Sequence, residues 1–134
     1  MSKLNVALKI ATKEIDQCVA AGYVDISTGS LLGVHTTDQH PNSILELVAA
    51  ATGDLFSGEN INTIENTFKS LRKDNSTRKY FQEIIVNSEN LIHIFLRSQS
   101  NQNHVGVFVC RNKVTMGFVL QRARIMMNDL EKML

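Results

Sequence analysis

The stretch SILELVAAATGDLFS, residues 43–57, constrains the fold more than any other part of this chain. At helical spacing, Ile44, Leu47, Val48, Ala51 and Leu55 form one apolar stripe. Leu45, Ala49, Thr52 and Phe56 form a second stripe beside it. Only Glu46 and Asp54 are charged. A helix that is apolar over most of its circumference is buried on more than one side. In a short chain one of those sides can meet the chain's own sheet, and the other needs a second cover. Pro41 stands just ahead of the helix, and Ser43 and Glu46 have the spacing of a capping box.

The elements around that helix follow from changes of period. Leu4, Ala7, Leu8, Ala11 and Ile15 predict an amphipathic helix over 3–16. The run CVAAGYVDI then alternates with both sets largely apolar, as in a strand covered on both faces. Ser27-Thr28-Gly29-Ser30 is a turn, and LLGVHT returns as a second strand. Ile61, Ile64, Phe68 and Leu71 mark a narrower helical stripe over 61–73. YFQEIIVNS and LIHIFLRS predict a long hairpin around Ser88-Glu89-Asn90, and HVGVFVCR a fifth strand. Val119, Ala123, Met126, Leu130 and Met133 give the buried stripe of a last helix over 115–134. Strands joined by short turns pair antiparallel. The expected class is α+β: one five-stranded antiparallel sheet with helices on both faces, spanning 1–134 as a single domain.

Composition removes several function classes. Apolar residues make up 43% and charged residues 20%, which excludes a disordered chain. A net charge of +1, from 14 basic and 13 acidic residues, removes the electrostatic case for nucleic acid as a partner. No apolar run approaches the roughly 20 residues of a membrane span. The first residues lack a small-residue cleavage site, so no signal peptide is expected and the reading is cytoplasmic.

Motif chemistry is sparse. There is no GxxxxGK[ST] loop, and Gly29 to Gly33 lacks the lysine and leads into a strand. A GxSxG elbow is also missing. His35, Asp38 and His40 lie close in sequence without further ligands at finger-like spacing, and His93 and His104 sit in or beside strands. No catalytic, metal or cofactor residue is assigned, and the chain reads as a non-enzyme. Cys18 and Cys110 fall on predicted strands and read as reduced, dispensable core thiols. A redox pair across neighbouring strands is the sharper alternative. Lys69, Arg72, Lys73, Arg78 and Lys79 read as a solvated helix end that offsets the dipole. Tyr23, Gln82 and His93 are the polar groups that a ligand-binding sensor of related topology would use.

Self-association accounts for the twice-apolar helix. The expected homodimer interface comprises Leu45, Val48, Ala49, Thr52 and Phe56 on the helix, with Phe81 and Ile85 on the strand at 80–87. That strand is apolar enough to be an aggregation risk as an open edge.

GYVDISTGSLLGV, with Val24-Asp25, Gly29 and Leu31-Leu32, resembles the first hairpin of the Roadblock/dynein-light-chain family. EIIVNSENLIHIFL resembles its third and fourth strands, and the element order fits over residues 3–132. The resemblance implies a profilin-like fold with one helix on one face of the sheet and two on the other. It implies pairing through the middle helix and the following strand. It also implies non-enzymatic work as a scaffold, a dynein subunit or a regulator of Ras-like GTPases, bacterial ones included. A small GTPase is then the expected partner beside a second copy of the chain. The helix at 61–73 departs from the short family core.

Overall fold

The computed structural model describes residues 2–37, 42–73 and 78–133, with the backbone alone at 42–46. Asp38, His40 and Pro41, and the side chains of Ser43, Leu45 and Glu46, lie outside that description. Four helices and five strands follow in the order α1 (Lys3–Glu14), β1 (Cys18–Asp25), β2 (Ser30–Thr36), α2 (Asn42–Ser57), α3 (Glu59–Leu71), β3 (Glu83–Asn87), β4 (Leu91–Arg97), β5 (His104–Arg111) and α4 (Met116–Lys132). The strands form one sheet in the order β2-β1-β5-β4-β3, with every neighbouring pair antiparallel. The third strand is shorter than the expected 80–87.

The sheet is covered on both faces, as the two apolar sets of β1 require. Cys18, Ala21 and Tyr23 join Ile92, Ile94, Phe108 and Cys110 in a core closed by α1 and α4. Val24, Phe95, Val105 and Val107 point the other way and meet Ala49 and Phe56 of α2. Strand residues alternate between faces, so β1, β4 and β5 each feed both cores at once.

Local chemistry fixes the connections. Ser2 caps α1 by accepting from the Asn5 amide at 3.1 Å. In the β1–β2 turn Asp25 Oδ1 accepts from the Ser27 amide at 2.9 Å and from its hydroxyl at 2.5 Å. That hydroxyl holds the carboxyl below the usual carboxylate range. Gly29 closes the turn at φ 71°, a conformation that a side chain would strain. Gly106 serves close approach instead, because a Cβ there would lie 2.5 Å from Met127 Sδ on α4.

Two helical stripes differ from expectation. On α4 the buried residues are Val119, Ala123, Met127 and Leu130. Met126 only flanks the core, and Met133 is exposed. The steps of four through Met127 keep the stripe over the sheet, whereas a step to Met126 rotates off it. On α3 the difference is larger: Ile64, Phe68 and Leu71 are exposed, and Glu65 is the buried residue. Its carboxylate accepts the Tyr80 amide and faces the cation of Arg97, so a polar anchor turns this helix and sends its apolar stripe outward.

Candidate interaction surface

The orientation of α2 decides what the molecule offers to a partner. Ala49, Thr52 and Phe56 are fully buried. Ala49 and Phe56 face the sheet, and the Thr52 hydroxyl donates back to the Val48 carbonyl at 2.7 Å. The described residues of the stripe expected to meet a second copy are therefore the ones that the chain's own sheet covers. Three of the seven expected interface residues cannot form an outer surface. The outward face carries the other stripe: Leu47 is 69% exposed, Val48 is 40% exposed, and Ala50 and Ala51 are exposed beside them. Two adjoining apolar stripes look alike in sequence, and only docking on the sheet chooses between them.

The edge strand carries a second correction. Ile85 pairs with Ile94, which belongs to the α1/α4 core, so its side chain lies on the face away from α2. Glu83, on the same face, holds Arg124 of α4 through two contacts of 2.6 and 2.8 Å. Ile84 and Val86 are the residues that face α2: Ile84 packs on the Val24–Phe95 core, and Val86 lines a groove with Ala51, Asp54 and Leu55. A shift of one residue along a strand moves a side chain to the other face. Phe81 is half-buried ahead of β3, edge-on to Tyr80 at 5.3 Å.

That groove runs between α2 and the outer strands and encloses about 460 Å³, with His93 and Phe95 as its floor. His93 stacks on Phe95 with centroids 6.5 Å apart, and burial pushes its imidazole below the ordinary range. Beside it β3 has one hydrogen-bonded flank. The Arg97 amide donates to the Gln82 carbonyl and the Ser88 amide to the Leu91 carbonyl, both at 2.8 Å. In antiparallel registration these bonds bracket β3 so that Ile84 and Val86 bond to β4, while Glu83, Ile85 and Asn87 turn their backbone groups outward. No described strand pairs with that outer flank.

The remaining candidates scatter. Tyr23 is buried under α1 and α4, with its hydroxyl 3.3 Å from His104 Nδ1. Gln82 is occupied with the Lys79 carbonyl at 2.6 Å, so the three polar groups of a sensor site do not converge. A second cavity of about 260 Å³ between sheet and helix is almost wholly apolar, lined by Gly22, Val24, Leu31, Val48 and Val107, with Thr36 and Arg111 also on its wall. Lys69 donates to the Arg78 carbonyl, Arg78 to Gln82 and Gln99, and Arg72 stands 5.9 Å over the Tyr80 ring. These cations act as ties around the α3–β3 connection, a role that the helix-end reading had missed. Among the described residues, no three His, Cys, Asp or Glu side chains gather as metal ligands. No described helix is long and apolar enough to cross a membrane.

An antiparallel five-stranded sheet with α1 and α4 on one face and α2 on the other is the Roadblock/LC7 fold. The chain superposes on a Roadblock/LC7 domain from Streptomyces avermitilis with a TM-score of 0.70 at 12% identity, covering 98% of this chain and 97% of that one. Against Myxococcus xanthus MglB the TM-score is 0.71 at 18% identity, over 98% and 94% of the two chains. An MglB in a tetrameric arrangement gives 0.70 at 15% identity, over 99% and 91%. No protein-family model and no curated protein matches the sequence.

Proposed function

We propose that this chain is a non-enzymatic, self-associating platform that binds and regulates a small Ras-like GTPase. The carrying observation is the coincidence, on one side of the molecule, of a β3 flank that no described strand pairs with and the exposed apolar ridge Leu47-Val48-Ala50-Ala51. Pairing β3 with β3 of a second copy across a two-fold axis satisfies the outward groups of Glu83, Ile85 and Asn87. The same movement covers the α2 ridge and the groove at Val86. Interfaces of this kind bury roughly 800 Å² per partner. Val48 stays in the proposed interface, Leu47, Ala50, Ala51, Ile84 and Val86 join it, and Ile85 contributes through its backbone. The MglB found in a tetrameric arrangement has the same fold and supports association.

The GTPase reading rests on the family resemblance of the first hairpin and on the missing phosphate loop, which leaves nucleotide to the partner. The match to a Roadblock/LC7 domain covers 98% of this chain, which supports reading it as one such unit. Light scattering after size exclusion tests the first half of the proposal: a dimer at tens of micromolar is expected, and a monomer would refute the assigned surface. Affinity capture with the intact chain tests the second. Recovery of a small GTPase, whose hydrolysis or exchange rate then changes on adding the chain, is the expected result. Recovery of a small ligand alone by mass spectrometry would favour a sensor built on the apolar cavity.

A further inference from the structure

Cys18 and Cys110 are direct partners in the register of β1 and β5, the two strands that join the halves of the sheet. Both are free, and both belong to the core under α1 and α4, with exposures of 6% and 0%. The ladder identifies the kind of pair they form. The Arg111 amide donates to the Gln17 carbonyl at 3.0 Å, one residue outside each cysteine. A bond in that place marks Cys18 and Cys110 as a pair without backbone bonds to each other. At such pairs the Cα atoms approach to about 4.5 Å and side chains are closest. A disulfide accepts Cα separations from about 4.4 to 6.8 Å. Val19 is the extra residue of a bulge immediately after Cys18, so the chain has local slack to bring the sulfurs together.

We propose that Cys18 and Cys110 form a site of reversible oxidation that takes a hydroperoxide and closes a cross-strand disulfide. Cys18 is the attacking sulfur. It stands at the first residue of β1, keeps the small exposure that Cys110 lacks, and is held below the ordinary thiol range by the hydrogen bond from Cys110. The hydrogen bond with Cys18 and burial push the Cys110 thiol up, so Cys18 is the sulfur that ionises first and Cys110 gives up its proton only as it resolves. The Cys18 thiolate attacks one peroxide oxygen and the O–O bond breaks. With the proton that left the thiol, this gives a sulfenic acid and water. The Cys110 sulfur then attacks the Cys18 sulfur. An S–S bond forms, the S–O bond breaks, and a second water leaves with the Cys110 proton. The balance is two thiols and hydrogen peroxide to one disulfide and two waters. Closure staples residues far apart in sequence at the centre of the sheet, which stabilises the oxidised fold against unfolding.

The test treats the intact protein with a small excess of hydrogen peroxide. Intact mass should fall by two hydrogen atoms, and non-reducing peptide mapping should join the segments holding Cys18 and Cys110. Tm should rise by about 10 °C, and dithiothreitol should reverse all three changes. Cys110→Ser should leave a sulfenic acid on Cys18 that dimedone traps. If that variant does not fold, the wild-type map decides alone. Two thiols still titratable after denaturation, sulfinic acids without a disulfide, or a disulfide between molecules would each overturn the proposal.

Discussion

The guanidinium of Arg97 sits 4.9 Å over the ring of Phe56 and reaches that residue's carbonyl at 3.4 Å. A β4 side chain thereby holds the C-terminal end of α2, where carbonyls lack partners within the helix. The same cation donates to Phe81 at 2.9 Å and to Gln102 at 2.5 Å, so three segments converge on one buried side chain.

Arg97→Ala should therefore cost about 3 kcal/mol or more, because it strands several buried carbonyls and leaves Glu65 without its facing cation. Arg97→Lys should recover only part of this, since a point charge cannot fork to three acceptors. Chemical denaturation of both variants checks the order.

Ala49 and Ala51 separate folding from association. Ala49→Arg places a charge in the sealed contact between α2 and the sheet and should unfold the protomer. Ala51→Arg lies on the outer ridge and should change stability by less than about 0.5 kcal/mol. It should weaken self-association by about tenfold or more, that is about 1.4 kcal/mol. Thermal melts and sedimentation on the same samples distinguish the two effects. An Ala51→Arg protein that dimerises like wild type would place the interface elsewhere.

Ile85→Pro removes an amide that points away from β4. Proline is tolerated where the lost N–H faces outward from an edge. The β3–β4 hairpin should survive, with circular dichroism unchanged, while dimerisation weakens by about 1–2 kcal/mol for the bonds lost across the two-fold. Val86→Pro removes an amide that bonds to β4 and should disrupt the hairpin itself.

His93 gives the chain a pH dependence of definite sign. Burial lowers its folded-state pKa below the unfolded value of about 6.5. Between those two values the unfolded chain binds more protons, so stability is full above about pH 6.5 and declines as the pH falls. Burial is the cause of this shift, and no carboxylate contributes to it. Denaturation midpoints from pH 7.5 to 5 should fall for the wild type, and His93→Gln should flatten the slope.

Much of the architecture was legible before any coordinates. The order of elements, the antiparallel sheet and the two-faced burial of β1 follow from period and turn chemistry, which act over a few residues. The same reasoning found all five strands and both cysteines' burial, and it found that α2 has more apolar surface than one sheet face can cover. It could not say which α2 stripe the sheet takes, since Leu45-Ala49-Thr52-Phe56 and Leu47-Val48-Ala51 present similar apolar area. Nor could it place Ile85 and Val86 on their faces, because a strand boundary uncertain by one residue inverts every side chain after it. The outward turn of α3 depends on Glu65 meeting the Tyr80 amide and the Arg97 cation, partners distant in sequence. The pairing of Cys18 with Cys110 depends on the register of β1 against β5. Local pattern sets what each segment becomes; long-range packing and register decide which face it shows, and the candidate surface lies on those faces.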